Sequence, residues 1–198
     1  MNLVSNRILL ENGELYHIPS FLPLEESLRL LVFLHRSLYW RQDSVTLFGK
    51  KVKQPRLTAW YGEPNLYYTY SGLRLKTVPW TFTLLTLRDR VEALDVGQYN
   101  AVLLNYYRDG NDSMGYHSDD EPELGVNPII AILSLGQPRK LQMKKKKSTA
   151  RPLNFVLQSG DLFIMAGATQ HHWRHQIPKS PSARGARLSL TFRNIISR

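Results

Sequence analysis

Cysteine is absent from the 198 residues. Its absence excludes disulfides, thiolate zinc sites and a cysteine nucleophile, and nothing calls for an oxidising compartment. Long apolar runs are missing too. The densest, Leu28 to Leu34, is far too short to span a bilayer and contains Arg29. Met1 to Glu11 lacks the basic-then-apolar order of a signal peptide. Acidic residues are scarce, 16 against 26 Lys and Arg, which leaves a net charge of +10. These shortages predict a soluble intracellular protein with a polyanionic partner, nucleic acid before others. No internal repeat and no linker divides the chain. One domain over residues 1–198 is expected, monomeric and away from membranes.

What is present suits a packed core: 42% of residues are hydrophobic and 11% aromatic. Glu14 to Ile18 reads as a strand. Pro23 opens a helical pattern, with Pro at the first helical position and Leu24, Leu28, Leu31, Phe33 and Leu34 as its apolar positions. Trp80, Leu84, Leu87, Val91 and Leu94 form a second helical stripe, with Gly97 at its end. Val45 to Phe48 followed by Gly49 reads as a hairpin tip, trailed by Lys50, Lys51, Lys53 and Arg56. An apolar wedge flanked by cations suits insertion into a base stack. Tyr68 and Tyr70 share a strand face and could stack on a base.

From Ala101 the texture is of short strands: Ala101 to Tyr107, Pro128 to Leu135, Arg139 to Lys145, Leu153 to Leu157, Asp161 to Met165, His172 to Ile177 and Ala186 to Ile195. Polar or glycine-bearing turns separate them, which predicts an antiparallel sandwich or barrel. Lys144 to Lys147 is a lysine run that suits a solvated edge or a phosphate contact.

The chemistry centres on Tyr116-His117-Ser118-Asp119. On extended backbone, residues i and i+2 point to one face, so His117 and Asp119 converge. They are two parts of a 2-His-1-carboxylate triad, the set that holds non-haem Fe(II) with open positions. His171, His172 and His175 are the candidates for the third ligand, and spacing alone does not choose between them. In the final strand Arg187, Ser189 and Arg193 share one face, while Leu188, Leu190 and Phe192 share the other. Arginine inside a small barrel calls for a carboxylate partner, and its fork matches carboxylates bidentately. That face therefore reads as built for a dicarboxylic acid. Asn105 and Tyr107 share a face upstream and could donate to the same ligand.

Asn105-Tyr106-Tyr107, His117-Ser118-Asp119, His175 and Arg187-x-Ser189-x-x-x-Arg193 together resemble the AlkB family of Fe(II)- and 2-oxoglutarate-dependent dioxygenases. Ser189 stands where that family usually has Asn. The resemblance runs from about Phe48 to the C-terminus. It implies an α+β, mainly β fold: a double-stranded β-helix, or jelly roll, over about residues 99–198. Support helices and a nucleotide-recognition lid would fill about 1–98. It implies that His117, Asp119 and His175 bind Fe(2+), and that 2-oxoglutarate meets Asn105, Tyr107, Arg187, Ser189 and Arg193. Tyr68, Tyr70, Glu121 and the His117 ring would surround the target base. Phe48 would act as a finger filling the gap left by a flipped base, and Lys50, Lys51, Lys53, Arg56 and Lys179 would meet DNA. The implied activity is O2-dependent oxidative demethylation of 1-methyladenine and 3-methylcytosine in double- or single-stranded DNA, releasing formaldehyde; the alternatives are an RNA or protein demethylase or hydroxylase on the same scaffold, or a basic nucleic-acid-binding module without enzyme activity. Such a protein would be cytoplasmic and nucleoid-associated in a bacterium, nuclear in a eukaryote.

Overall fold

The short strands that begin at Ala101, joined by a few from the first half of the chain, set up two sheets with a common interior. The computed structural model describes residues 6–47, 50–70 and 73–196; at 45–47, 68–70 and 73–75 it describes the backbone. In chain order the strands are β1 (Arg7–Leu10), β2 (Gly13–Ile18), β3 (Ser44–Leu47), β4 (Lys50–Lys53), β5 (Leu57–Gly62), β6 (Tyr67–Tyr70), β7 (Leu73–Lys76) and β8 (Val78–Pro79). There follow β9 (Ala101–Tyr107), β10 (Met114–His117), β11 (Ile130–Gly136), β12 (Arg139–Lys145), β13 (Leu153–Leu157), β14 (Leu162–Ala166), β15 (Trp173–Ile177) and β16 (Arg187–Arg193). The helices are α1 (Leu24–Ser37), α2 (Phe82–Glu92) and the single turn α3 (Thr169–His172).

Eight strands form a major sheet in the order β1-β2-β14-β11-β16-β9-β5-β8, and four form a minor sheet, β10-β15-β12-β13. The two faces enclose one core, with Leu103, Ile132, Leu141, Met143, Phe163 and Ile177 among its members. This is the expected jelly roll. A second core lies on the other face of the major sheet, where Leu34, Leu84, Leu87 and Val91 of the helices meet Leu104, Leu133, Leu188, Leu190 and Phe192. β9, β11 and β16 are thus covered on both faces, so they are buried along almost their whole length. Truncating one such leucine to alanine costs about 2–5 kcal/mol.

The hairpins β3–β4 and β6–β7 stand apart as two-stranded sheets. Phe48, which the sequence reading puts at a hairpin tip, lies outside the described residues.

Three strand readings agree with the structure to the residue: β9, β12 and β13. Others shift by a few positions. β15 begins at Trp173 because residues 169–172 close a helical turn instead. β1, pairing with β2 at the sheet edge, was not expected. Pro23 caps α1 rather than occupying its first turn, while Glu25 and Glu26 at one end and His35 and Arg36 at the other complement the helix dipole. The buried side of α1 is also offset from the expected stripe. Ser27 and Leu34 are buried, with Leu30 and Leu31 packed beside them, the i, i+3, i+4, i+7 positions of a single face. Ser27 fixes this rotation through its hydroxyl, which meets Leu24 O at 2.8 Å and Ser159 Oγ at 2.7 Å. Leu24, Leu28 and Phe33 therefore point outward. α2 buries Leu84, Leu87 and Val91 as expected, capped by Thr81, but stops at Glu92, short of Gly97.

Candidate metal and cosubstrate site

β10 and β15 pair so that His117 and His175 are direct cross-strand partners. Their rings lie 4.1 Å apart between centroids. Asp119 follows β10 by two residues and turns back toward them, and the three ligating atoms lie within 4.8 Å of one another. Of the three downstream histidines, His175 is therefore the one in the cluster. His171 and His172 belong to α3.

The protonation states suit a cation. Nδ1 of His117 lies 2.9 Å from Gly115 O, and a carbonyl only accepts, so Nδ1 carries the proton and Nε2 is left with its lone pair. Burial pushes the His117 imidazole below its ordinary value, against the pull of Asp119. Burial and the neighbouring His117 bring His175 down to about 3. Burial pushes the Asp119 carboxyl up, but Arg193 and the two imidazoles outweigh it and hold it at about 2. At neutral pH the cluster is two neutral imidazoles and one carboxylate, the state that ligates. Asp119 Oδ1 accepts from Arg193 Nη2 at 2.8 Å. Its Oδ2 is buried with no hydrogen-bond partner among the described residues. A buried carboxylate oxygen without a donor is costly, and a cation at the triad would satisfy it.

A cavity extends from the triad between the sheets, lined by Asn105, Tyr107, Met114, Ile132, Leu141, Arg187, Ser189, Thr191 and Arg193. β16 alternates as the sequence requires, with Arg187, Ser189 and Arg193 toward this cavity. Arg187 is 1% exposed. Its Nη2 donates to Ser134 Oγ at 2.7 Å. Its Nε and Nη1 are buried without a hydrogen-bond partner among the described residues. Burial lowers its pKa to about 10, so it is still a cation at neutral pH. The guanidinium carbons of Arg187 and Arg139 lie 5.3 and 5.5 Å from the Tyr107 ring centroid. Asn105 pairs with Ser189 across the sheet.

Arg56 departs from the expectation of an outward cation. It is 4% exposed, and its Nε donates to Asn105 Oδ1 at 2.7 Å. It precedes β5, whose pairing with β9 carries it inward beside Asn105. Lys50, Lys51, Lys53 and Lys179 are exposed. Tyr68 and Tyr70 lie on β6, where the backbone is described. Glu121 opens a 3-10 turn at Pro122–Leu124, two residues beyond Asp119.

Three residues near the site were not singled out from sequence. Ser134 supports Arg187. Arg139 is 2% exposed and donates to the carbonyls of Asp109, Asp112 and Pro178. Gln170 is 1% exposed and accepts from Asp119 N at 2.9 Å. Only Arg139 had a sequence signal, a charge at an inward position of an alternating strand.

A family model described as the 2OG-Fe(II) oxygenase superfamily matches residues 14–193. The DNA oxidative demethylase ALKBH2 of Arabidopsis thaliana is 30% identical over 210 residues, covering 93% of this chain and 67% of that one. The chain belongs to the AlkB family of 2OG-Fe(II) oxygenases. Alpha-ketoglutarate-dependent dioxygenase alkB homolog 3 of Mus musculus is 40% identical over 186 residues, 89% of this chain. This AlkB-family chain spans 64% of the length of that mouse relative. ALKBH2 of Bos taurus is 40% identical over 159 residues, covering 77% of this chain and 57% of that one. The solved structure of OsALKBH1 has the same fold, with a TM-score of 0.62 at 16% identity, over 95% of this chain and 99% of that one. Family membership implies Fe(2+) and 2-oxoglutarate, and the His-Asp-His cluster, with Asp119 and His175 buried and His117 partly so, is a set that could hold the metal.

Proposed function

We propose that this protein oxidatively demethylates N-alkylated bases in nucleic acid, 1-methyladenine and 3-methylcytosine in DNA first among them. The observation that carries the reading is the joining, in one cavity, of the two triad imidazoles, with Asp119 clustered beside them, and the Arg187 guanidinium, whose Nε and Nη1 have no partner among the described residues. A metal chelated by a dicarboxylic keto acid meets both needs. When bound, iron with 2-oxoglutarate and O2 supplies the oxidising power that hydroxylates an N-methyl group, which leaves as formaldehyde while the keto acid leaves as succinate and CO2.

His117 Nε2, Asp119 and His175 would hold the metal. Arg187, fixed by Ser134 and Tyr107, would take the far carboxylate of 2-oxoglutarate by its fork. Asn105, Ser189 and Arg193 line the same cavity and would orient the keto-acid end. Arg193 keeps Asp119 ionised and aimed. The buried walls exclude water from the cavity. The partly exposed His117 ring, with Tyr68, Tyr70 and Glu121 as the sequence resemblance assigns them, would receive a base that has left the stack. Flipping costs a few kcal/mol, least where methylation has already broken the pair. Both proposed lesions are cationic, and Glu121 would favour them by charge. The relatives named for DNA demethylation support DNA as the polymer. Lys50, Lys51, Lys53 and Lys179 would meet its phosphates.

The test is formaldehyde release from oligonucleotides carrying 1-methyladenine or 3-methylcytosine, with iron, ascorbate and 2-oxoglutarate. Turnover by the wild type and silence of His117→Ala are expected. If the wild type is as silent as the variant on both lesions, the reading is wrong.

A further inference from the structure

Asp119 is the one triad member that lies outside a strand: β10 ends at His117 and β15 contains His175. No sheet ladder therefore fixes its backbone. Other contacts do. Asp119 N donates to Gln170 Oε1 at 2.9 Å. The other end of that amide, Gln170 Nε2, donates to the weak acceptor Met165 Sδ at 3.4 Å. The backbone carbonyl of Gln170 accepts from Lys146 Nζ at 2.9 Å, and the same ammonium donates to Asp120 Oδ2 at 2.9 Å. Ser118 Oγ donates to Trp173 O at 2.8 Å, and Lys146 N to His172 O at 2.7 Å. Besides the bond from Arg193 to the Asp119 carboxylate, residues 118 and 119 are tied to the segment 170–173 and residue 120 to Lys146, which is itself tied to that segment.

Lys146 belongs to the lysine run, and the structure separates that run by role. Lys145 pairs with Glu11 and Lys146 with Asp120. Lys144 and Lys147 have no ion pair among the described residues.

We propose that Gln170 and Lys146 are positioning residues that set the metal affinity of the triad by clasping the segment 118–120 in its ligating conformation. The proposal rests on the metal reading of the triad. Groups that orient ligands without touching the metal typically contribute about 10- to 100-fold in affinity. A buried glutamine whose oxygen takes the N–H of a ligand residue is such a group. Electrostatics alone would act in the opposite sense for Lys146. A cation near a divalent ion repels it, so loss of Lys146 would tighten binding if charge were its only contribution. The clasp requires that its loss weaken binding.

The experiment is titration of the metal-free full chain with Mn(II), followed by loss of the free-ion electron paramagnetic resonance signal. His117→Ala shows whether the signal reports the triad. Gln170→Met keeps the volume beside Met165 and removes the acceptor. Lys146→Met removes both ammonium bonds from a partly exposed position. Lys144→Met is the control for an equal change of charge on the same strand and its turn. Gln170→Met and Lys146→Met are each expected to weaken Mn(II) binding on the order of tenfold, with Lys144→Met near the wild type and melting temperatures showing all variants folded. Wild-type affinity in both folded clasp variants overturns the proposal, as does tighter binding by Lys146→Met. Should Gln170→Met fail to fold, the sign of the Lys146→Met effect decides. A wild type that binds no Mn(II), or binds it as well as His117→Ala does, overturns the metal reading and the proposal with it. That result is distinct from loss of the clasp alone.

Discussion

Arg193 Nη2 lies 2.8 Å from Asp119 Oδ1, across 74 residues of sequence, and both side chains are almost sealed from solvent, at 2% and 0% exposed. The last strand of the fold thus supplies the counter-charge for the ligand on the loop after β10. The pair gives more to geometry than to net stability, since two charges have left water to form it. Breaking it from one side is another matter. Arg193→Met is expected to cost about 3–5 kcal/mol of unfolding free energy, because it strands a buried carboxylate. Arg193→Met with Asp119→Asn should recover a large part of that loss. Denaturant unfolding of the four members of the cycle, in chelator, measures the coupling. Additive single effects would show that the two groups do not depend on each other.

Arg187 stands at the other end of β16, its Nε and Nη1 without a hydrogen-bond partner among the described residues. Arg187→Met should weaken 2-oxoglutarate binding by about 3 kcal/mol, on the order of 100-fold. Unfolding stability should change little or rise, since a buried charge without a full set of partners is removed. Calorimetric titration of the cosubstrate into the Mn(II)-loaded variant reads the effect. A Kd within a factor of two or so of the wild type would move the carboxylate site elsewhere.

Acid stability has a carrier away from the cavity. Asp161 is 2% exposed and accepts from Ser20 N and Gln158 N, with His17 Nε2 at 3.0 Å. Burial pushes its carboxyl up, but the His17 and backbone hydrogen bonds outweigh that and hold it below its ordinary value. A carboxylate depressed in the folded state stabilises fully above its unfolded pKa of about 3.9 and loses that contribution as pH falls through the folded value. Stability from this group should therefore be flat above about pH 5 and decline below about pH 4. Asp161→Asn should lower stability at neutral pH and flatten the acid limb without abolishing it, since Asp112 and Asp119 are depressed as well. Denaturant midpoints between about pH 3 and pH 7 would show it. An unchanged acid limb would remove Asp161 from the account.

Phe48 is a prediction from sequence. If it fills the space of a flipped base, Phe48→Ala should lower demethylation of duplex on the order of tenfold and leave single strands nearly untouched, since a single strand has no stack to repair. Matched substrates in one assay separate the two, and an equal fall on both would rule out the finger.

How much was legible depended on how local the signal was. β9, β12 and β13 could be read to the residue because alternation and turns mark both ends. The arginine face of β16 was legible for the same reason. The rotation of α1 was not, because its leucines support two overlapping stripes and the choice is made by Ser27 against Ser159, 132 positions away. Arg56 was misread as a surface cation because it follows a run of exposed lysines; its partner Asn105 is 49 residues downstream. Spacing alone did not choose His175 over His171 and His172; the family resemblance named it, and the pairing of β15 with β10 gives the physical reason. Gln170 carries no mark in the sequence, since its role is one hydrogen bond to a backbone.

β16 presents Leu188, Leu190 and Phe192 to the helix layer and Arg187, Ser189 and Arg193 to the cavity. Because side chains alternate with a period of two, a slip of one residue would drive guanidinium groups under the helices and leucines against the triad. Neither error could be buried at acceptable cost. Folding therefore proofreads the site: a molecule that has closed its helix-side core has its arginines in place, and a chain that misplaces them fails to become a stable protein before it can become a faulty one.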